Sequence, residues 1–436
     1  MWKALILMCG LGVVFAAWTT IQDSGLVIRG SGSGIRDSGF GTREVPGSEF
    51  GTREVPGSGF GTRSTTRTEL DATIASNRQR VAANPGDGKA AVELADALMR
   101  AARVSADASL AIEAEHVLRA TLRHSPSDYM SRRMLSVVYL SQHRFAEALT
   151  EAKAAQTLRP QDAWNYAIAG DALLELGRYE EAFDSFDRVM EHRPDAGAYA
   201  RVAYARELQG DLDGAVSLMR MSAEATSRQD VEGLAWTFAQ IGNLYLLQGR
   251  LDEAERQFSH AEFIFPSHPY AMNGRVRLLI ARHRYADALD LSRRLPTTPE
   301  SLATRGDLLA RLGRAGEAEE TYREAERVER DGWKQEQPQP GALARFLAER
   351  GRNIPEAIAL AERAAAERQD VVTMDALAWS YFRGGRVAEA ASAIQRATRL
   401  GTVDPRIRCH ASAIATSIRE AVTPDGVTCD LLNPQG

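Results

Sequence analysis

The stretch that decides the fold is LLELGRYEEAFDSFDRVMEHRP, residues 173–194. Leu173 and Leu176 close the apolar stripe of one helix, and Gly177 supplies a left-handed residue that ends it without a Cβ clash. Ala182, Phe183, Phe186, Val189 and Met190 then recur at three- and four-residue steps, which predicts the apolar face of a second helix. His192 and Arg193 suit the negative end of that helix, and Pro194 stops it.

The same object recurs along the chain. The turn slot is filled by Gly177, Gly210, Gly249, Gly313, Gly351 and Gly385, and in two further copies by His143 and His283, a residue type enriched at positive φ. Five residues after most slots stands an alanine: Ala148, Ala182, Ala215, Ala254, Ala288, Ala318 and Ala390; after Gly351 the gap is six, reaching Ala357. From His143 to Gly177, and from Gly249 to His283, the step is 34 residues. With Tyr166, Gly170 and Leu173 on its first helix and Ala182, Phe186, Val189 and Pro194 on its second, the unit resembles the tetratricopeptide repeat. Residues 235–268 match through Phe238, Gly242, Tyr245, Ala254, Phe258, Ala261 and Pro266, and eight near-full copies occupy residues 127–402.

The resemblance implies an all-α chain: a right-handed superhelical solenoid of antiparallel helix pairs, each repeat touching only its neighbours. Small residues such as Gly170, Gly242 and Gly306 are expected to let the helices of a pair approach closely.

Around the array the chain divides by composition. Residues 1–21 carry Lys3 and an apolar run over 4–18, which reads as a signal peptide, with Val14 and Ala16 at the cleavage positions, or as a retained membrane anchor. Either reading exports the rest, so a protein of the bacterial periplasmic or inner-membrane-anchored kind is expected. Residues 22–68 are a Gly/Ser/Arg-rich segment expected to be disordered, with a decamer beginning at Phe40, Phe50 and Phe60 that reads as a spacer or as a ligand-bearing linker. Residues 69–126 read as a capping helix and a degenerate repeat, 127–330 as the main array, 331–342 as a break, 343–403 as the last units, and 404–436 as a cap and tail. The break reads as a hinge or a loop insertion. An end helix needs a polar outer face, which Arg406, Arg408, Ser412, Arg419 and Glu420 can supply. Cys409 and Cys429 read as a disulfide in an oxidising compartment or as buried free thiols, the reading that a helical position for Cys409 favours.

Charge and motifs exclude more than they assign. The net charge of −5 carries no nucleic-acid footprint. There is no H-E-x-x-H, G-x-S-x-G, paired C-x-x-C, Walker or EF-hand pattern, so neither metal nor cofactor is expected and an enzyme is a remote reading. Acidic pairs such as Glu180–Glu181 sit where they suit a helix N-terminus.

What remains is a surface. The resemblance implies that first helices line a concave groove and that a partner protein or extended peptide lies there. Groove-facing slots then carry Trp164, Asp171, Trp236, Asn243, Tyr270, Asn273, Arg277 and Asp307, with Trp379 in a comparable slot. Aromatic anchors ringed by hydrogen-bonding groups are what a binding hot spot needs, for a polypeptide or alternatively for a carbohydrate or small solute. The other reading of the aromatics is packing between units. A clamp for a terminal carboxylate, known in the family, is not supported: Asn243 matches, but Ala239, Gly274 and Glu300 stand at its other slots.

Overall fold

The computed structural model describes residues 67–105, 109–333, 340–420 and Cys429, and the expected leader and decamer segment lie outside them. The described residues form twenty helices and no strand. In chain order these are α1 Arg67–Ala83, α2 Gly88–Ser105, α3 Ser109–His124, α4 Tyr129–Ser141, α5 Phe145–Leu158, α6 Ala163–Glu175, α7 Tyr179–His192, α8 Ala196–Leu208, α9 Leu212–Ala225 and α10 Val231–Leu247. There follow α11 Leu251–Ile264, α12 Pro269–Ala281, α13 Tyr285–Ser292, α14 Pro299–Arg311, α15 Ala315–Trp333, α16 Pro340–Glu349, α17 Ile354–Glu367, α18 Val371–Arg383, α19 Val387–Ala397 and α20 Pro405–Glu420. Among the described residues no helix is long and apolar enough to cross a membrane.

The turn slot behaves as its residue types dictate. Gly177 lies at φ 74°, and the two histidines in the slot, His143 and His283, at φ 59° and 56°. Arg178 N–H reaches Leu173 O at 2.8 Å and Gly177 N–H reaches Leu174 O at 3.0 Å, closing the last carbonyls of α6. The arginine after the slot then bonds the acid three residues on: Arg178 to Glu181 at 2.6 Å, Arg250 to Glu253 at 2.9 Å, Arg314 to Glu317 at 2.6 Å. These pairs are exposed and stabilise little, but they repeat at the start of second helices.

Inside each pair a glycine meets a ring. A Cβ at Gly170 would lie 2.5 Å from Phe186, at Gly242 2.6 Å from Phe258, and at Gly306 2.2 Å from Tyr322. Gly274, on the next first helix, would place a Cβ 2.2 Å from the same Phe258. One buried ring thus wedges between two first helices, and only hydrogen atoms on both sides make room.

Ion pairs span the break, of which residues 334–339 lie outside the described residues. Helix α15 runs to Trp333, and across the junction Arg350 binds Asp307 at 2.8 Å, Arg352 binds Glu319 at 2.9 Å, and Arg330 binds Glu356 at 2.8 Å. Arg350 also lies over the rings of Tyr322 and Phe346 at 5.0 and 4.6 Å. The apolar cluster around Val276, Leu308 and Ala318 is separate from the one holding Leu343 and Leu360, so this joint is polar where the others are apolar. Helix α10 runs to 17 residues, against 13 for the first helices α6, α8 and α12.

Neighbour-only contact is overturned as well. Val371 N–H donates to the Tyr179 hydroxyl at 2.7 Å, Arg368 binds Glu175 at 2.7 Å, Gln369 N–H reaches Leu176 O at 3.3 Å, and Arg399 donates to Gly177 O. These partners are 192 to 222 residues apart, about six repeats of ~34 residues. The winding has returned on itself, and the loops of the last units sit on the turns of the early ones. Gly177 is therefore needed twice over: for its φ, and because a Cβ there would lie 2.4 Å from the Gln369 carbonyl. At Gly210 a Cβ would stand 2.7 Å from Gly401 O. A single apolar cluster joins residues such as Leu118, Phe145 and Val202 to Leu343, Val371 and Ile414.

The C-terminus closes with a covalent clip. Cys409 and Cys429 form a disulfide with Cα atoms 5.9 Å apart; a cysteine on α20 can reach a partner arriving from the tail, and the free-thiol reading falls. Arg406, assigned to the outer face of the cap, instead points to Glu349 at 3.4 Å.

Three outcomes follow. Gly170→Leu should overpack the crossing against Phe186 and cost roughly 1–3 kcal/mol; an unchanged denaturation midpoint would contradict the register. Cys409→Ser should cost roughly 3 kcal/mol, read as a lowered midpoint without reductant and none further with it. Burial pushes the Glu175 carboxyl up to about 7 despite Arg368 beside it. The folded state then holds its proton more tightly than the unfolded one, so stability falls as pH rises through that range. The melting temperature should be lower at pH ~8 than at pH ~6, and Glu175→Gln should shrink that difference.

Candidate functional site

The inner wall is assembled by first helices. Arg277 on α12 donates to the Asn243 side-chain oxygen on α10, and its charge is felt by Glu207 on α8, Glu300 on α14, and Asp404 and Arg406 at the start of α20. These side chains, from helices far apart in sequence, lie within electrostatic reach of Arg277.

The aromatic anchors are elsewhere. Trp164 and Trp236 are 5% and 6% exposed, and Trp379 is 1% exposed. Arg133 covers the Trp164 ring at 4.2 Å, Trp236 sits in an apolar cluster with Met219 and Tyr245, and Trp379 stacks on His410 at 4.0 Å. Groove exposure is therefore corrected to packing between units. A large ring at the second groove-facing position of a first helix lies under the neighbouring unit and fills the space between them. These three tryptophans are therefore not open as stacking platforms for a carbohydrate.

The acids divide similarly. Asp171 is 2% exposed and takes two 2.9 Å bonds from Arg201, an ion pair that ties α6 to α8. Burial pushes its carboxyl up to about 6, against the pull of Arg201. Asp307 accepts from Tyr322 at 2.8 Å and from Arg350, so it belongs to the polar joint; burial raises its pKa. Tyr270 and Asn273 are half-buried on α12. Of the eight residues singled out, Asn243 and Arg277 meet directly, Tyr270 packs against the apolar cluster that holds Trp236, and Asp307 connects to the same wall through Arg350, Glu349 and Arg406.

Sequence reasoning missed part of this lining. Glu207 is half-buried, and burial lifts its carboxyl to about 7 against the attraction of Arg277. Its position three residues before the Gly210 slot repeats no acid in other units, so periodicity gave no signal. Asp404 and Arg406 lie beyond the array and arrive only because the winding returns. Arg277 is exposed to the water in the concavity, yet the surrounding wall disfavours its charge, while Glu300, Glu207 and Asp404 favour it. The wall is thus hydrogen-bonding and mixed in charge. Among the described residues no group of three His, Cys, Asp or Glu side chains is placed to hold a metal.

Comparison with known proteins adds to this geometry. Family models described as tetratricopeptide repeat match residues 113–163, 169–230, 240–301 and 299–331. Tetratricopeptide repeat protein 36 of Homo sapiens is 34% identical over 95 residues, 22% of this chain and 50% of that protein. Its Mus musculus counterpart is 33% identical over 95 residues, and the chain spans only 50% of that protein's length too. Two similar solved structures are the APC/C hetero-tetramer Cut9–Hcn1 and the human IFIT1 dimer with PPP-AAAA. The first has a TM-score of 0.42 at 11% identity, over 81% of this chain and 60% of that one. The second has 0.49 at 16% identity, over 77% and 78%. A two-helix unit, a left-handed residue in its turn slot, a glycine beneath a ring in its crossing and the family models together identify the chain as carrying tetratricopeptide repeats over the matched residues.

Proposed function

We propose that the inner wall around Asn243, Arg277 and Glu300 holds a partner protein or an extended peptide. Repeats of this family are generally interaction scaffolds rather than enzymes, and the partner's contact with this wall is the finer reading. The observation that supports it is Arg277: a solvent-exposed guanidinium on a concave wall, bonded to Asn243 and near several acids. Such a group gives up few contacts when a carboxylate or backbone carbonyl replaces water, and its planar fork favours bidentate recognition. The buried tryptophans act on stability instead of on binding.

We further propose that the repeat array lies outside the cytoplasm, tethered or released by residues 1–21. The Cys409–Cys429 disulfide supports this, because such bonds persist in oxidising compartments.

The test is affinity capture with the intact chain from membrane and periplasmic fractions. Arg277→Ala should lose a specific partner while keeping its melting temperature; Trp236→Ala should instead unfold more easily, by roughly 3–5 kcal/mol. Capture that is unchanged by Arg277→Ala would remove the inner wall as the binding surface.

A further inference from the structure

The seam has a fixed offset. The loop before α18 lies on the turn after α6, where Gln369 N–H reaches Leu176 O at 3.3 Å. The loop before α20 lies on the turn after α8, where the Gly401 carbonyl leaves no room for a Cβ on Gly210. In both places a loop between units meets the turn that follows the helix twelve places earlier in the chain. Each unit adds a similar small rotation, so neighbouring loops share that offset. For the loop before α12 it points to the residues just ahead of α1, that is, ahead of Arg67.

That loop presents apolar surface of the kind the seam covers. A cavity of about 360 Å³ opens there, with Phe265, Pro269, Met272 and Pro296 as its apolar wall. The Phe265 and His268 rings meet edge to face at 5.7 Å, a corner against which a third ring packs well. Next in the chain to these lining residues, Phe263 at the end of α11 is 86% exposed, and Val231 at the start of α10 is 45% exposed. In the seam, Val371 at the start of α18 is only 3% exposed, with the Tyr179 hydroxyl bonded to its N–H. Val231 and Val371 each follow an N-cap aspartate, Asp230 and Asp370, so what differs is the covering of the two helix starts.

The chain ahead of Arg67 carries a group that fits. Residues 61–66, Gly-Thr-Arg-Ser-Thr-Thr, hold no large apolar side chain, and Phe60 stands just before them, seven residues from the start of α1. That length spans at most about 25 Å. Phe50 and Phe40 repeat the ring at ten-residue steps. We infer that the segment ahead of α1 folds back onto the loop before α12 and seats the Phe60 ring in this cavity, against Phe265, Met272 and Pro296. The ring is tethered, so its effective concentration is about millimolar and a small contact area suffices. Docking extends the seam one step toward the N-terminus, and it does not depend on the function proposed for the inner wall.

Full-length protein with p-benzoylphenylalanine in place of Phe60 is irradiated at low concentration, and the adducts are mapped by mass spectrometry. The main adduct should lie within one chain, on residues 263–272 or 294–296. In a second arm, Phe40→Ala, Phe50→Ala and Phe60→Ala are combined in the full-length chain. Backbone amides of residues 263–272 should then exchange with solvent roughly tenfold faster, the loss expected for one buried ring. A synthetic peptide of residues 58–66, added at about millimolar concentration, should restore their protection, and the same peptide with alanine for Phe60 should not. Adducts on another surface, adducts between two chains, exchange unchanged in the triple variant, or equal rescue by the alanine peptide overturns the inference; adducts between chains would assign the cavity to a second copy.

Discussion

The absence of a side chain opposite a ring is the constraint on which the rest depends. Phe258 lies between Gly242 and Gly274, and Phe186 and Tyr322 press on Gly170 and Gly306 in the same manner. Because a Cβ at any of these glycines would enter the ring's van der Waals volume, the helices approach more closely than larger residues allow. That spacing, repeated along the array, sets how far each unit turns relative to the last. Curvature is a sum of such small rotations, so a local packing rule becomes a long-range shape.

The consequence of that shape is the seam. After about six repeats the chain meets itself, and the turns that began as local punctuation become docking surfaces for Gln369, Arg399 and Gly401. Burying Glu175, Asp370 and Tyr179 there is tolerable because Arg368 and the backbone of Val371 satisfy them. A freely extensible solenoid would leave its early turns in water. Here the last two units share an apolar cluster with the first half of the array, while the join to their immediate predecessors is made by arginine and carboxylate. The stability of these units thus depends on residues far away in the sequence as well as on those just before them.

Closure also redistributes the polar surface. Asp404 and Arg406 are brought to the wall that carries Arg277 and Glu207, so the concavity is lined by charges of both signs rather than by aromatic rings. The rings are used up between units. This separates two roles often shared by one tryptophan: Trp236 holds neighbouring units together, and the hydrogen-bonding groups of the wall are what face solvent.

What the sequence by itself determined was the unit and its register. The turn slot, including its two histidines, the glycine beneath each ring and the alanine after each turn are local requirements, and local requirements recur at a readable period. Tertiary structure alone decided which face of each slot meets a neighbour. Trp164 and Arg277 both occupy groove-facing slots of first helices, and periodicity assigns both to the groove. Only the rotation between successive units covers one and leaves the other in water. The same holds for Glu207, Asp404 and the seam at Gly177, whose partners lie about six repeats away. No period within one repeat can encode such a distance, because it is fixed by the accumulated curvature of all the units between.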